Sequence, residues 1–433
     1  MLSRQDNELM CRIGAGTPMG DAMRRFWLPV IQSADMPEAN GDPQTVELLG
    51  ERFVVWRDEQ GRPGLFAEGC LHRGASMQLA RSEGDGLRCI YHGWKFAVDG
   101  KVLETPNVED PKFKERIKGR TYPVREAGGL VWAYLGPQGD APPFPHWAFM
   151  DQPDAHRINA CAVINANFVQ VMEGLVDSSH LTVLHSSALA RTNDSELDYA
   201  KKTSHMQFDA APKIEADETD FGFHYVAIRQ TGDTRIARVT AFAAPCFIAN
   251  ANGDIWLAIV PVNDERCNLY HVWWDAEKRV GEEPLRSEQL LFVGLDEPTL
   301  RKYGMTADTC DSAAAMSLAN AFGQDRAKQR GGHFTGFDSI TQEDAACSVS
   351  SGAIRDRSQE LLCPADIAIS RLHRSLLACA RAARDQREIP ALRAASGGAI
   401  GISAEIGQDQ DWRSLVPHHR IVSAQGARTE RSQ

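Results

Sequence analysis

Four side chains between residues 70 and 94 have the types and the spacing to hold a transition metal. Cys70 and His72 form a C-x-H pair, and Cys89 and His92 form a C-x-x-H pair after a gap of sixteen residues. Structural zinc sites usually group two cysteines together and two histidines together, or use cysteines throughout. Here each short loop offers one sulfur and one nitrogen. That distribution fits a [2Fe-2S] cluster in which one iron takes the thiolates of Cys70 and Cys89 and the other takes the imidazoles of His72 and His92. Neutral nitrogen ligands raise the reduction potential of such a cluster above that of an all-thiolate one. Arg73-Gly74 and Gly93-Trp94 follow the two histidines, and Gly84, Asp85 and Gly86 mark a turn between the loops. Small residues there let backbone N–H groups approach the sulfurs.

A second group lies downstream in NANFVQVMEGLVDSSHLTVLHSS, residues 165 to 187, which contains Asp177, His180 and His185. In a regular helix the two histidines would point about 140° apart. They can face one ion only if the helix bulges or ends between them, an irregularity common at functional sites. Asp177 precedes His180 by three residues and can accept a hydrogen bond from its imidazole, fixing the tautomer. Two histidines need one carboxylate to leave open positions on a non-haem Fe(II). Glu343, Asp344, Asp325 and Asp338 are all available, and spacing alone does not choose among them.

These groups need two different scaffolds. TVELLGERFVVWRD before the cysteine loops and GGLVWAYLG after them read as short strands, so residues 40 to 136 are expected to be mainly β. PQGDAPPFPHW, residues 137 to 147, carries four prolines and suits a linker. FHYVAIRQ, RVTAFAAPCF and NLYHVWWDAE have the aromatic and β-branched content of strands. The stretch from Asp366 to Asp385 has apolar residues at helical spacing. Past Pro390 the chain gains Gly, Ser and charge, and is expected to pack weakly or at a subunit contact.

Composition bounds the function. The chain has 433 residues, 43% of them hydrophobic, enough for more than one core. A formal net charge of -11 argues against nucleic acid as a partner, because phosphate binding needs an excess of Lys and Arg. The N-terminus lacks an apolar signal core and no apolar run reaches eighteen residues or more, so no membrane association and a cytoplasmic protein are expected. Ten cysteines without a dense framework suit a reducing compartment.

Taken together, GTPMGDAMRRFWLPV, the two cysteine-histidine pairs, EGLVDSSHLTVLH and QEDAACSVSSGAIRDRSQE resemble the catalytic α subunit of the Rieske non-haem iron ring-hydroxylating oxygenases, in the phthalate dioxygenase-like branch. The resemblance implies an α+β chain: an N-terminal all-β Rieske domain, residues 1–147, and a catalytic domain, residues 148–433, with an antiparallel sheet flanked by helices. It implies that Cys70, His72, Cys89 and His92 ligate the cluster, that His180, His185 and Asp344 ligate the mononuclear iron, and that Asp177 bridges electron transfer between subunits. Such a bridge implies head-to-tail assembly, as a homotrimer or a stacked hexamer. One departure is visible: Gly174 follows Glu173 where many relatives have Asn.

The implied activity is that of a terminal oxygenase, using O2 to hydroxylate an aromatic carboxylate of phthalate or benzoate type. Related alternatives are O- or N-dealkylation and aryl ether cleavage by a monooxygenase of the same build. A plain Rieske electron carrier would leave His180, His185 and nearly 300 residues without a role. No G-x-G-x-x-G fingerprint opens a βαβ unit, so NAD(P)H acts only through a separate flavin and iron-sulfur reductase. A basic stretch, KFKERIKGR, could steer an acidic module of that reductase, although such runs are more often solvated faces. A carboxylate substrate calls for a cation, and Arg229 and Arg238, inside strand-like segments, are better placed than Arg235, which follows a Gly-Asp turn.

Overall fold

In a computed structural model, residues 2–194, 198–207, 209–392, 394 and 396–416 are described. The cysteine loops sit on a lobe built from two small antiparallel sheets. One pairs Gln44–Leu48, Glu51–Arg57 and Pro63–Ala67; the other pairs Arg81–Glu83, Gly86–Arg88, Lys95–Phe96 and Val102–Glu104. A third sheet, Trp27–Gln32, Leu130–Tyr134 and Val124–Ala127, joins this lobe to the rest of the chain.

The larger body is organised by one eight-stranded antiparallel sheet. Its spatial order runs Arg157–Ile164, Arg266–Trp274, Ile255–Asn263, Phe247–Ala249, Thr234–Ala243, Gly222–Thr231, Lys213–Glu218, and Ile402–Ile406 pairs with Thr234–Ala243. Alternation gives the sheet two distinct faces. On one, Trp256 packs against Trp132 of the joining sheet at 5.6 Å and against Phe149 at 4.9 Å between ring centroids. On the other, Leu257, Leu269 and His271 face a cavity that helix residues Val171, Gly174, Asp344 and Ser348 also line. The sheet therefore holds the joining sheet on one side and the cavity on the other.

The C-terminal helix Ile367–Arg384 buries Leu372, Leu376, Leu377 and Ala380, packing against the N-terminal helix Pro18–Met23 and against Phe168–Val176. Residues 4–23 thus pack on the larger body. Weak packing after Pro390 is not what the structure has up to residue 416: Ile402–Ile406 adds a strand, and Trp412 is buried with its indole N–H donated to Glu215 at 3.0 Å. Period-two alternation of Ile402, Ala404 and Ile406 towards the sheet explains this. The tail from 417 onward lies outside the described residues. No helix among the described residues is long and apolar enough to cross a membrane.

Candidate metal centres and substrate cavity

The two cysteine-histidine loops are built alike. In each, the amide of the fourth residue after the cysteine donates to the cysteine carbonyl, Gly74 to Cys70 at 2.9 Å and Gly93 to Cys89 at 3.0 Å. Gly74 and Gly93 hold φ of 72° and 76°, left-handed values that glycine adopts without the clash of a Cβ. The loops bring the rings of His72 and His92 to 4.5 Å. His72 stacks on Trp94 at 4.5 Å with 5° between planes, and Trp94 is itself fixed by donating to Asn107. Nδ1 of His72 is buried with no hydrogen-bond partner among the described residues, and Cys70 and Cys89 are buried free thiols. Burial, the largest effect, pushes the Cys70 thiol up to about 11. An orphaned imidazole nitrogen beside buried sulfurs fits a cluster that would accept both kinds of ligand.

The second centre forms where a helix stops. Phe168–Val176 is capped by Asn167 and ends at Asp177, whose backbone is extended. A single turn, Leu181–Leu184, starts after His180 and breaks at His185 (φ -93°, ψ 17°) before Ser186–Ala190 resumes. That interruption lets both imidazoles face one point. Asp344 approaches from the helix Ile340–Ser350, its Oδ1 3.5 Å from Nε2 of His180 and 3.2 Å from Nε2 of His185. One ligand atom from each of the three lies within 4.8 Å of the others. Neither Nε2 has a hydrogen-bond partner among the described residues. Two buried imidazole nitrogens and one carboxylate around a common point are the donor set that a non-haem Fe(II) takes.

The opposite nitrogens of both rings are held by carboxylates. Nδ1 of His180 lies 3.4 Å from Asp177, which accepts from the Ser179 amide and hydroxyl. Nδ1 of His185 lies 2.7 Å from Glu343, and Glu343 accepts from Thr335 at 2.5 Å. The site attracts positive charge. Burial opposes charging of His180, yet Asp177 and Asp344 raise it to about 10. Burial likewise opposes ionisation of Asp344, but the two histidines outweigh it and hold the carboxyl far below its usual range. Asp325 and Asp338 take other roles: Asp325 caps Arg326–Arg330, and Asp338 pairs with Lys302 and Lys328.

Asp177, His180, His185 and Asp344 form part of the wall of a cavity of about 110 Å³ whose sheet wall carries Arg238, Thr240 and His271. Arg229 does not line it. Its guanidinium donates to the carbonyls of Ser178 and Asp209 and to the Ser178 hydroxyl, so its donors hold the turn after Asp177. Arg235 donates to the carbonyls of Gly407 and Gln408. Gly174 lines the cavity, and a Cβ there would meet nothing within 4 Å. His271, which sequence reading passed over, faces the cavity; alternation places it with Leu269 but does not say which face of the sheet meets a ligand.

Residues 26–123 match the Rieske [2Fe-2S] domain family, and residues 133–432 match the family described as LigXa C-terminal domain like. The chain is 34% identical over 432 residues to the phthalate 4,5-dioxygenase oxygenase subunit of Pseudomonas putida, covering 95% of this chain and 94% of that one. It is 32% identical to the 3-chlorobenzoate-3,4-dioxygenase oxygenase subunit of Comamonas testosteroni, covering 90% and 91%. Among solved structures, the NdmA QL mutant of Pseudomonas putida CBB5 with theobromine superposes with a TM-score of 0.57 at 17% identity, over 91% of this chain and 99% of that one. A cluster lobe followed by a sheet-and-helix domain with a mononuclear iron donor set defines a Rieske non-haem iron oxygenase. The chain belongs to that family, as the oxygenase subunit of a multicomponent system that carries a [2Fe-2S] cluster and a mononuclear iron and draws its electrons from a reductase.

Proposed function

We propose that this oxygenase acts on an aromatic carboxylate, that Cys70, His72, Cys89 and His92 hold the cluster, and that His180, His185 and Asp344 hold the iron. When bound, the iron supplies a site for dioxygen and the cluster supplies electrons one at a time. The observation that carries the reading is the cavity itself, with His180, His185 and Asp344 on one wall and Arg238 on another. Arg238 is 5% exposed, so a carboxylate docked there would be read in a largely desolvated setting, where a charge-assisted hydrogen bond is strong. Leu257, Ile255 and Leu269 supply apolar area for a ring. Asp177 and Glu343 orient the two histidines. Asp177, on the side of His180 away from Asp344, takes the bridging role to a neighbouring subunit, which requires a head-to-tail trimer, alone or stacked as a hexamer.

Metal and sulfide analysis of anaerobically prepared protein, with low-temperature EPR of the reduced form, tests the metal assignment. About three irons and two sulfides per chain are expected, falling to about two irons in His180→Ala with the Rieske signal intact. Two irons in the unaltered protein, unchanged by added Fe(II), would leave an electron carrier. Turnover of benzoates and phthalates under labelled dioxygen then separates incorporation of both oxygen atoms from incorporation of one, the monooxygenase outcome.

A further inference from the structure

The substrate cavity is polar at two separated places. The strand bearing Arg238 (Thr234–Ala243) and the strand bearing His271 (Arg266–Trp274) are separated in the sheet by two others. At about 4.8 Å per strand the two strands lie roughly 14 Å apart, and His271 is level, through Leu257 and Ile248, with Phe242, four residues along the strand from Arg238, so the two backbones are roughly 19 Å apart. Leu257, the cross-strand neighbour of His271, and Ile255 lie between them on the cavity wall. The two side chains reach inward from either side of an apolar floor, leaving a span suited to one substituted ring.

His271 is not accounted for by the metal centre or by the core. Its ring rests against Trp273 at 3.7 Å, but its Nε2 is buried with no hydrogen-bond partner among the described residues. A buried polar nitrogen without a partner is costly and rare in folded proteins. Burial also lowers the pKa of the ring to about 3, so the imidazole is neutral in ordinary buffers. An uncharged imidazole suits a hydroxyl or ether oxygen; a second carboxylate would be desolvated there against a single neutral donor.

We propose that His271 is a specificity-determining residue that hydrogen-bonds a hydroxyl or alkoxy substituent on the substrate ring, at the side of the cavity away from Arg238. The substrate class is then a ring-oxygenated aromatic acid. The Arg238 half of this statement rests on the function proposed above; the His271 half stands on its own cavity position.

The test is anaerobic calorimetric binding to the holoenzyme with matched ligands. Benzoate is compared with its hydroxy- and methoxy-substituted forms, and toluene with phenol and anisole, in the unaltered protein and in His271→Leu, His271→Gln and Arg238→Gln. The oxygenated member of a pair binds roughly tenfold more tightly in the unaltered protein. His271→Leu removes that preference while leaving benzoate affinity within about twofold, and His271→Gln retains part of it. A preference that survives His271→Leu, or one missing from the unaltered protein, overturns the proposal. If no acid binds better than its neutral counterpart and Arg238→Gln changes nothing, the carboxylate reading has failed; a phenol or anisole preference lost in His271→Leu still sustains the role of His271.

Discussion

Nδ1 of His185 lies 2.7 Å from Oε2 of Glu343, so a buried carboxylate fixes the ring with its Nε2 turned towards Asp344 and His180. Thr335 donates to the other oxygen of Glu343, and both acids of the Glu343-Asp344 pair serve one histidine from opposite sides. Outer-shell partners of this kind orient the ring and raise its basicity, and losing them costs about 10–100-fold in metal affinity or activity. Glu343→Ala is expected to weaken Fe(II) binding by that factor in a titration of iron-depleted protein, with Glu343→Gln less affected and the Rieske EPR signal unchanged. Equal iron affinity in Glu343→Ala and the unaltered protein would remove Glu343 from this role.

Asp177 stands in the same relation to His180, 3.4 Å from its Nδ1, but at a helix end where it also accepts two bonds from Ser179. Asp177→Asn keeps the volume and the turn while removing the charge. Both metals should still load. Reoxidation of the prereduced cluster by dioxygen in the presence of substrate, followed by stopped-flow absorbance, is expected to slow by about 10–100-fold. A normal rate in Asp177→Asn would mean that electrons reach the iron by another route.

How far these relationships are legible in the sequence depends on whether they are local. The cysteine-histidine loops are local, and so are the strands: Leu269 and His271 alternate with Tyr270 and Val272, which signals a sheet with two covered faces. The break at His185 could be anticipated, because the five-residue spacing from His180 forbids a straight helix. The division of labour between Glu343 and Asp344 could not. Neighbouring helical residues point about 100° apart, and only the docking of Ile340–Ser350 decides which carboxylate meets the Nε2 atoms and which reaches Nδ1. The roles of Arg229 and Arg238 are likewise set by strand register, since Arg238 pairs with Ala227 and Arg229 with Ile236 on adjoining strands.

Arg229 and Arg238 should separate cleanly. Arg229→Gln removes donors from the Ser178 and Asp209 carbonyls and is expected to destabilise the fold by about 1–3 kcal/mol, read as a lower denaturant midpoint. Arg238→Gln is expected to weaken binding of benzoates by about 2 kcal/mol, roughly thirtyfold. Reversed phenotypes would show that the cavity assignment has the two residues exchanged.

Glu173 ties the helix that ends at Asp177 to the rest of the body. Its carboxylate accepts from Arg357 at 2.5 and 3.0 Å and lies 2.5 Å from Nε2 of His373. Arg357 also donates to Asn7 of the helix Arg4–Cys11. Removing one member leaves a buried charge without its partner, so Glu173→Ala is expected to cost about 3–5 kcal/mol. Burial opposes the charge on Glu173, but His373 and Arg357 outweigh it and hold the carboxyl at about 2, below its ordinary 4.5. A depressed carboxylate pKa gives stability that is fully present above the unfolded value and lost as pH falls through the folded one. The network therefore contributes about 3 kcal/mol at neutral pH, which fades between pH 4.5 and 2. Denaturant unfolding across that range should fall more steeply in the unaltered protein than in Glu173→Gln, and parallel curves would place the acid sensitivity elsewhere.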